Sequence, residues 1–317
     1  MEVLLLGGSE FVGKAYLENL ISKGFIVDFI TRGIKPITTK GFRNHFKCDR
    51  RDEKTLKEQI KDYTYDYVFD ISAYTVDDIK PILNIINRSN LKRYFLLSTG
   101  GVYTPSTFLI TENDEIGYNS NWGDYGLNKR KVEELLLDEF KVRNLPILIF
   151  RPTYIYGEGN NLYRETYFFQ RIKDHLPIPY PDTNKGKTQF IYIKDLVNIT
   201  IEAVKNDLTN GEEFNITNPE IYTWKELIQI LEEVTKTEVI MVPIPQQTLN
   251  ELNISSKEFF PFRDITYLLS VQKLVDFGLP IPKISLNAGL EESFKWFNSQ
   301  KIEQYYELFK SLDKLIK

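Results

Sequence analysis

Tyr125-Gly126-Leu127-Asn128-Lys129 is a segment whose residue types and spacing could do chemistry. Positions i and i+4 share one helix face, so a phenol and an ammonium placed there can reach the same bound ligand. A free tyrosine titrates near ~10, and an adjacent ammonium favours the phenolate, which suits Tyr125 to general-base work. The same spacing is common on solvated helices, so its weight comes from context. Upstream, Ser98-Thr99-Gly100-Gly101 ends the apolar run Tyr94–Leu97. A hydroxyl at the C-terminal end of a parallel strand sits where open α/β sheets bind ligands, although an isolated Ser-Thr pair is otherwise a strand-end turn.

The second chemical segment is Leu6-Gly7-Gly8-Ser9-Glu10-Phe11-Val12-Gly13. Between a strand and a helix, one glycine allows the tight turn, a second admits a pyrophosphate, and a third lets helix and strand pack closely. The phosphate then rests on the free N–H groups of the helix N-terminus. Ordinary strand–helix turns use glycines too. Glu10 takes the middle position, where a carboxylate is unfavourable near phosphates unless it turns to solvent. Further on, Phe29-Ile30-Thr31-Arg32-Gly33 lacks the acidic residue that binds the ribose 2′-OH of NAD, since Asp28 comes too early in the strand. Arg32, helped by Lys35, leans toward the 2′-phosphate of NADP; the alternative is a solvated surface arginine. His45 and His175 are the only histidines, which leaves no histidine-rich metal site, and no metal is expected.

These residues must be positioned by elements, and the chain supplies them in alternation. Glu2–Leu6, Phe25–Ile30, Arg43–Cys48, Tyr67–Ile71, Arg93–Ser98 and Pro146–Phe150 read as strands. Phe11–Ser22, Glu53–Lys61, Val76–Arg88 and Asp124–Arg143 read as the helices between them. Strands apolar on both faces belong in a parallel sheet covered by helices on each side. After Arg151, Pro, Tyr, Asn and Gly concentrate over residues 152–187. A strand then returns at Gln189–Ile193, followed by helices Asp195–Lys205, Thr223–Val234 and Leu286–Trp296, with Pro-containing segments 243–245 and 280–282 between them. The expected architecture is α/β: a doubly wound parallel (Rossmann) sheet over 1–157, with 188–216 returning to it, and a smaller substrate-binding lobe over most of 158–317.

With 42% hydrophobic and 26% charged residues, the 317-residue chain can bury a sizeable core. Its net charge of −4 argues against nucleic acid as the main partner. One cysteine, Cys48, is consistent with a reducing compartment. The opening MEVLLLGG is too short for a signal peptide or a membrane span, and a soluble cytoplasmic enzyme is expected.

In order and spacing these motifs resemble the extended short-chain dehydrogenase/reductases, the family of NAD(P)-dependent epimerases, dehydratases and related reductases. The resemblance runs through Gly7–Gly13, Asp49, Ser98–Tyr103, Tyr125/Lys129, Arg151-Pro152-Thr153-Tyr154-Ile155-Tyr156-Gly157, Phe190–Leu196 and Phe214-Asn215-Ile216. The GGSEFVG loop is similar to a subgroup that includes chloroplast stem-loop RNA-binding proteins. The resemblance implies Tyr125 as general base, Lys129 as the residue that holds the nicotinamide ribose and lowers the tyrosine pKa, and Thr99 as hydrogen-bond partner of the reacting oxygen. It implies a cofactor, NADP or NAD, bound by Gly7, Gly8, Phe11, Val12, Gly13, Arg32, Asp49, Arg50, Ser72, Pro152 and Thr153, with Asp49 at the adenine and Pro152 and Thr153 along the nicotinamide.

Two departures narrow the chemistry. Family dehydratases place Asp-Glu directly after the catalytic threonine, where this chain has Gly100 and Gly101, so dehydration is not expected. The diphosphate-binding arginine of UDP-hexose epimerases falls on Thr188, with Lys187 or Arg263 as substitutes. The expected function is hydride transfer at a carbinol or keto carbon of a sugar nucleotide or small carbonyl compound. The alternative is a non-catalytic RNA-binding or dinucleotide-sensing protein, motivated by Glu10 and by the basic cluster Arg43, Lys47, Arg50 and Arg51. A homodimer is expected from the resemblance and from spare apolar residues on Val76–Arg88 and Asp124–Arg143.

Overall fold

The structure, a computed structural model, describes residues 1–300 and Leu315. Six apolar runs form strands β1 (Glu2–Leu6), β2 (Ile26–Thr31), β3 (Asn44–Lys47), β4 (Tyr67–Asp70), β5 (Arg93–Leu97) and β6 (Ile147–Pro152). Together with Glu212–Ile216 they make one seven-stranded sheet in the order Glu212–Ile216, β6, β5, β4, β1, β2, β3. Every pairing in it is parallel. The α-helices among the described residues are α1 (Phe11–Ser22), α2 (Glu53–Ile60), α3 (Val76–Ile85), α4 (Gly123–Arg143), α5 (Glu165–Lys173), α6 (Ile193–Lys205), α7 (Trp224–Thr235), α8 (Gln246–Leu252), α9 (Gln272–Asp276) and α10 (Leu286–Ser299).

Alternation along β1 sorts the two faces, because successive side chains on a strand point oppositely. Val3 and Leu5 pack with Tyr16 and Leu17 of α1 and Val197 of α6, whereas Leu4 and Leu6 pack with Leu56 of α2, Ile79 and Ile82 of α3 and Val132 and Leu136 of α4. The result is a doubly wound α/β fold. Its strand order reverses between β1 and β4, where open sheets of this kind leave a crevice at the carboxyl ends of the strands.

The sequence places most of these elements within two residues. Helix α3 ends at Ile85 rather than Arg88. The following Asn87-Arg88-Ser89 turns on itself, the Asn87 side chain accepting from the Ser89 amide, and such local bonds compete with helix.

Beyond β6, Tyr154–Tyr156 pairs with Phe190–Tyr192, and Lys187–Thr188 lies between Tyr222–Thr223 and Thr266–Tyr267. Segments read from sequence only as Pro-rich connections prove ordered. Ile178–Asp182 pairs in parallel with Met241–Pro245. The ribbon has two strands, so each has an open side on which proline, lacking an N–H, is tolerated. Helix α5 was not anticipated at all. It carries Phe168 and Phe169 into the larger core cluster. The lobe expected over 158–317 extends into 301–314 and 316–317, which lie outside the described residues.

Candidate cofactor and catalytic cleft

The glycine loop joins β1 to α1 at the crevice. Gly7 and Gly8 have φ of 117° and 126°, a region that side-chain-bearing residues rarely adopt. A Cβ on Gly13 would lie 2.6 Å from the Gly8 amide nitrogen, so only glycine lets α1 approach its own entry turn. Glu10 caps α1 without a side-chain bond to the helix. Its carboxylate turns outward to Lys35, 3.3 Å away, which removes the conflict with a phosphate at the helix start. Phe11, the first helical residue, is buried with φ of 38° and stands beside Val12 in the cleft wall.

Two connected clefts follow from the loop. One, of about 430 Å³, is lined by Gly7, Glu10, Arg32, Lys35, Asp49, Arg50, Ser72 and Tyr74. The other, of about 610 Å³, runs from Gly7, Gly8, Phe11, Val12 and Gly13 to Thr99, Tyr125, Lys129, Pro152 and Thr153. Every residue singled out from sequence as catalytic or cofactor-binding therefore borders one of the two. The positive-φ glycines and the uncapped start of α1 form a cradle that fits a dinucleotide diphosphate.

Not all of these side chains are free to act. The Arg50 guanidinium clasps both oxygens of buried Asp70 at 2.7 and 2.5 Å and donates to Ser72 and to the Asp78 carbonyl. Ser72 in turn donates to the Leu6 carbonyl at 2.9 Å. Both residues brace the floor under the loop. Asp28 is buried against Arg43 and Tyr65 and does not face the cleft. Asp49 is exposed, accepting from the Arg51 amide, while Arg32 is exposed with no acidic partner among the described residues. Thr153 shares a 2.6 Å hydrogen bond with Thr217, and the Pro152 carbonyl accepts from Tyr267.

The catalytic candidates converge at the end of β5. Thr99 accepts from the Gly101 amide at 3.1 Å and faces the phenols of Tyr125 and Tyr267. Helix α4 reaches this point because Gly101 and Gly126 let it touch the 3-10 turn Gly100–Val102, and because Arg151 of β6 holds it from below. Arg151 is fully buried, donating to Glu133 of α4 at 2.8 Å and to Tyr103 at 2.9 Å.

Lys129 departs from expectation. Its ammonium donates to the Leu97 carbonyl at 2.7 Å and lies 5.3 Å over the Tyr74 ring. Burial lowers its pKa to about 8. It is not among the largest influences on the Tyr125 phenol, whose pKa stands above the ordinary value because surrounding protein atoms desolvate it and the Tyr74 phenol adds to the effect. The cations that pull that pKa down are Arg164 and Arg263, alongside the Thr99 hydroxyl. Sharing a helix face put Lys129 beside Tyr125 in projection, but the lysine stem carries its charge down toward the strand.

Sequence reasoning therefore missed Arg164, and named Arg263 only as a substitute diphosphate handle. It also missed the aromatic wall of Tyr74, Trp122, Tyr154 and Tyr267. No short-range spacing marks these residues. The basic cluster suspected of binding nucleic acid is largely neutralised, with Arg43 paired to Asp28 and Glu2, Arg50 to Asp70, and Arg51 to Asp78.

Comparison with known proteins places this geometry. The chain is 28% identical over 310 residues to the chloroplast stem-loop binding protein of 41 kDa b from Arabidopsis thaliana, covering 92% of this chain and 78% of that one. A UDP-glucose 4-epimerase from Thermotoga maritima, solved with UDP-glucose, superposes with a TM-score of 0.76 at 19% identity, covering 94% of this chain and 99% of that one. A dTDP-glucose 4,6-dehydratase from Bacillus anthracis, solved with NAD, gives 0.77 at 16% identity, covering 97% and 99%. The sequence profile of the NAD dependent epimerase/dehydratase family matches residues 3–217, and with the glycine cradle and parallel sheet already described, this chain belongs to that family.

Proposed function

We propose that the chain is an NAD(P)-dependent oxidoreductase or epimerase acting at a carbinol or keto carbon, with Tyr125 as general acid–base. The observation that carries this reading is the meeting of Thr99, Tyr125 and Lys129 in the same cleft as the glycine loop. When bound along the glycine loop, a nicotinamide dinucleotide would supply the hydride chemistry that no side chain can. Tyr125 removes the hydroxyl proton or gives it back, Thr99 holds the reacting oxygen, and Lys129 holds the nicotinamide ribose. Arg164 and Arg263 favour the phenolate electrostatically.

Dehydration is not part of the proposal. Gly100 and Gly101 carry no acid, and the space a side chain would need is filled: a Cβ would fall 2.6 Å from the Tyr267 hydroxyl at Gly100 and 2.9 Å from the Trp122 ring at Gly101. For the cofactor we favour NADP, because Arg32 is solvent-facing beside Lys35 with no acidic partner among the described residues, while Asp28 is consumed by Arg43. The lone buried Cys48 fits a reducing compartment, and we assign the protein to the cytoplasm. A homodimer is retained from the family resemblance.

The test is calorimetric titration with NAD⁺, NADH, NADP⁺ and NADPH. Binding of at least one is expected, with NADP(H) tighter and the preference erased by Arg32→Ala; no binding of any refutes the reading. A second reading, recognition of an RNA stem-loop, is favoured by the similarity to the chloroplast stem-loop binding protein. It predicts RNA affinity that falls steeply with salt and is indifferent to Tyr125→Phe.

A further inference from the structure

Lys129 is 3% exposed, yet its ammonium has no ion-paired carboxylate among the described residues. The acidic groups around it are committed elsewhere. Asp70 of β4 is clasped by Arg50 and accepts from Tyr94, Glu133 of α4 is bonded to Arg151, and Asp78 of α3 to Arg51. These three carboxylates favour the ammonium from a distance, and Arg50 opposes it. A charge taken out of water needs compensation at close range. One carbonyl, that of Leu97, meets a group that has three protons to donate.

The second close partner is the face of Tyr74. Its ring centroid lies 5.3 Å from the Lys129 Nζ, within the distance at which an aromatic quadrupole attracts a cation. The same ring packs 6.1 Å from that of Tyr125 and borders both clefts. Tyr74 is itself 56% exposed, so burial does not hold it in place. Its backbone does. The Ser72 and Ala73 amides donate to Asp70 at 3.3 and 3.0 Å, and the Tyr74 and Thr75 amides donate to Asp78 at 2.9 and 2.7 Å. Two buried carboxylates thus pin the turn from β4 into α3 and set the ring against α4.

We propose that Tyr74 is a positioning residue for Lys129, its ring face keeping the ammonium charged and in place where the two clefts share a wall. The inference rests on the oxidoreductase reading above for its purpose, since there the ammonium holds the nicotinamide ribose. The attraction belongs to the ring and not to the hydroxyl, so phenylalanine retains it. Leucine keeps an apolar cover over the ammonium but has no quadrupole. The contact stabilises the ammonium and leaves the neutral amine indifferent. Its removal therefore lowers the pH at which Lys129 discharges, below the value of about 8 that burial already imposes.

The test titrates Lys129 directly. The whole chain, labelled with ¹³C-lysine, is followed by NMR across pH 6 to 10, the Lys129 signal being the one lost in Lys129→Met. Its midpoint is expected near 8 in the native chain and unchanged in Tyr74→Phe. In Tyr74→Leu it should fall by about half to one pH unit, the size of a cation–π contact at a half-buried site. Calorimetric titration with NAD⁺, NADH, NADP⁺ and NADPH supplies the second readout. The pH above which dinucleotide affinity declines should move down by the same interval in Tyr74→Leu and not in Tyr74→Phe. The proposal is overturned if the midpoint in Tyr74→Leu stays or rises, which would make the ring a mere cover, or if it falls equally in Tyr74→Phe. It is overturned in its purpose if the midpoint falls while dinucleotide affinity keeps the native pH profile. Failure of all four dinucleotides to bind is a separate result that sinks the oxidoreductase reading, and the NMR midpoints still decide the contact.

Discussion

At the residue scale, the proposed function divides the proton chemistry and the cofactor hold between Tyr125 and Lys129. Tyr125→Phe keeps the ring and removes the hydroxyl, so dinucleotide binding should persist while turnover of an accepted substrate falls by about 10²–10⁴. Native turnover in that variant would remove Tyr125 from the mechanism. Lys129 sets a pH limit of its own. Its pKa is lowered to about 8 by burial, so the ammonium is lost from the folded, ligand-free protein as pH rises through that value, well below where an exposed lysine discharges. Dinucleotide affinity should decline above about pH 8, and Lys129→Met should bind weakly at every pH without that decline. A flat affinity from pH 7 to 9.5 in the native chain would show that the charge on Lys129 does not matter. These two residues were legible because YxxxK is short-range and falls after several βαβ units. Arg164 and Arg263 were not legible as a pair, since they lie 99 positions apart and are brought together only by packing of the lobe.

At the element scale, α4 is the part that must not move. Its contact with the 3-10 turn depends on Gly101 and Gly126, and its position over β6 on the buried Arg151–Glu133 pair. Glu133→Gln leaves a buried arginine without its counter-charge, a change that costs about 3–5 kcal/mol in comparable pairs. Urea unfolding should show that loss; a variant within 1 kcal/mol of native would mean Tyr103 and Glu213 suffice to neutralise Arg151. Helix α5 offers a contrasting pH test. Burial raises the Glu165 pKa to about 7. The folded state thus holds a proton that the unfolded chain releases near 4.5, and this group lowers stability as pH rises from about 4.5 to 7. Glu165→Gln should lose that decline, read as urea midpoints at pH 5 and 8. Strands β1, β4, β5 and β6 could be read from sequence because they are buried and largely apolar on both faces. Helix α5 and the ribbon Ile178–Asp182 with Met241–Pro245 could not. Their Tyr, Phe and Pro residues carry no clean period, and an aromatic cluster formed at long range decides their shape.

At the scale of the whole molecule, the apolar residues once counted as spare on α3 and α4 prove to be in use. Val76, Ile85, Leu135, Leu137 and Phe140 all pack against the second core cluster. The outer face of α4 instead shows Lys131, Glu134 and Asp138 to solvent. A dimer through these helices must then be polar at its centre, and its association should weaken in high salt. Sedimentation at micromolar concentration in 0.1 and 1 M salt checks this, and a monomer at both refutes the dimer.

The seventh strand has a consequence for how the chain is made. Glu212–Ile216 is the only partner of β6 on its outer side, yet it leaves the ribosome about 60 residues after Pro152. At about 5–20 residues per second, the nascent sheet carries an open, wholly buried-type edge, Ile147–Pro152, for several seconds. Exposed apolar edges recruit other strands. Slowed synthesis across residues 153–211 should therefore raise the aggregated fraction of newly made protein, and co-expressed holdase chaperones should lower it.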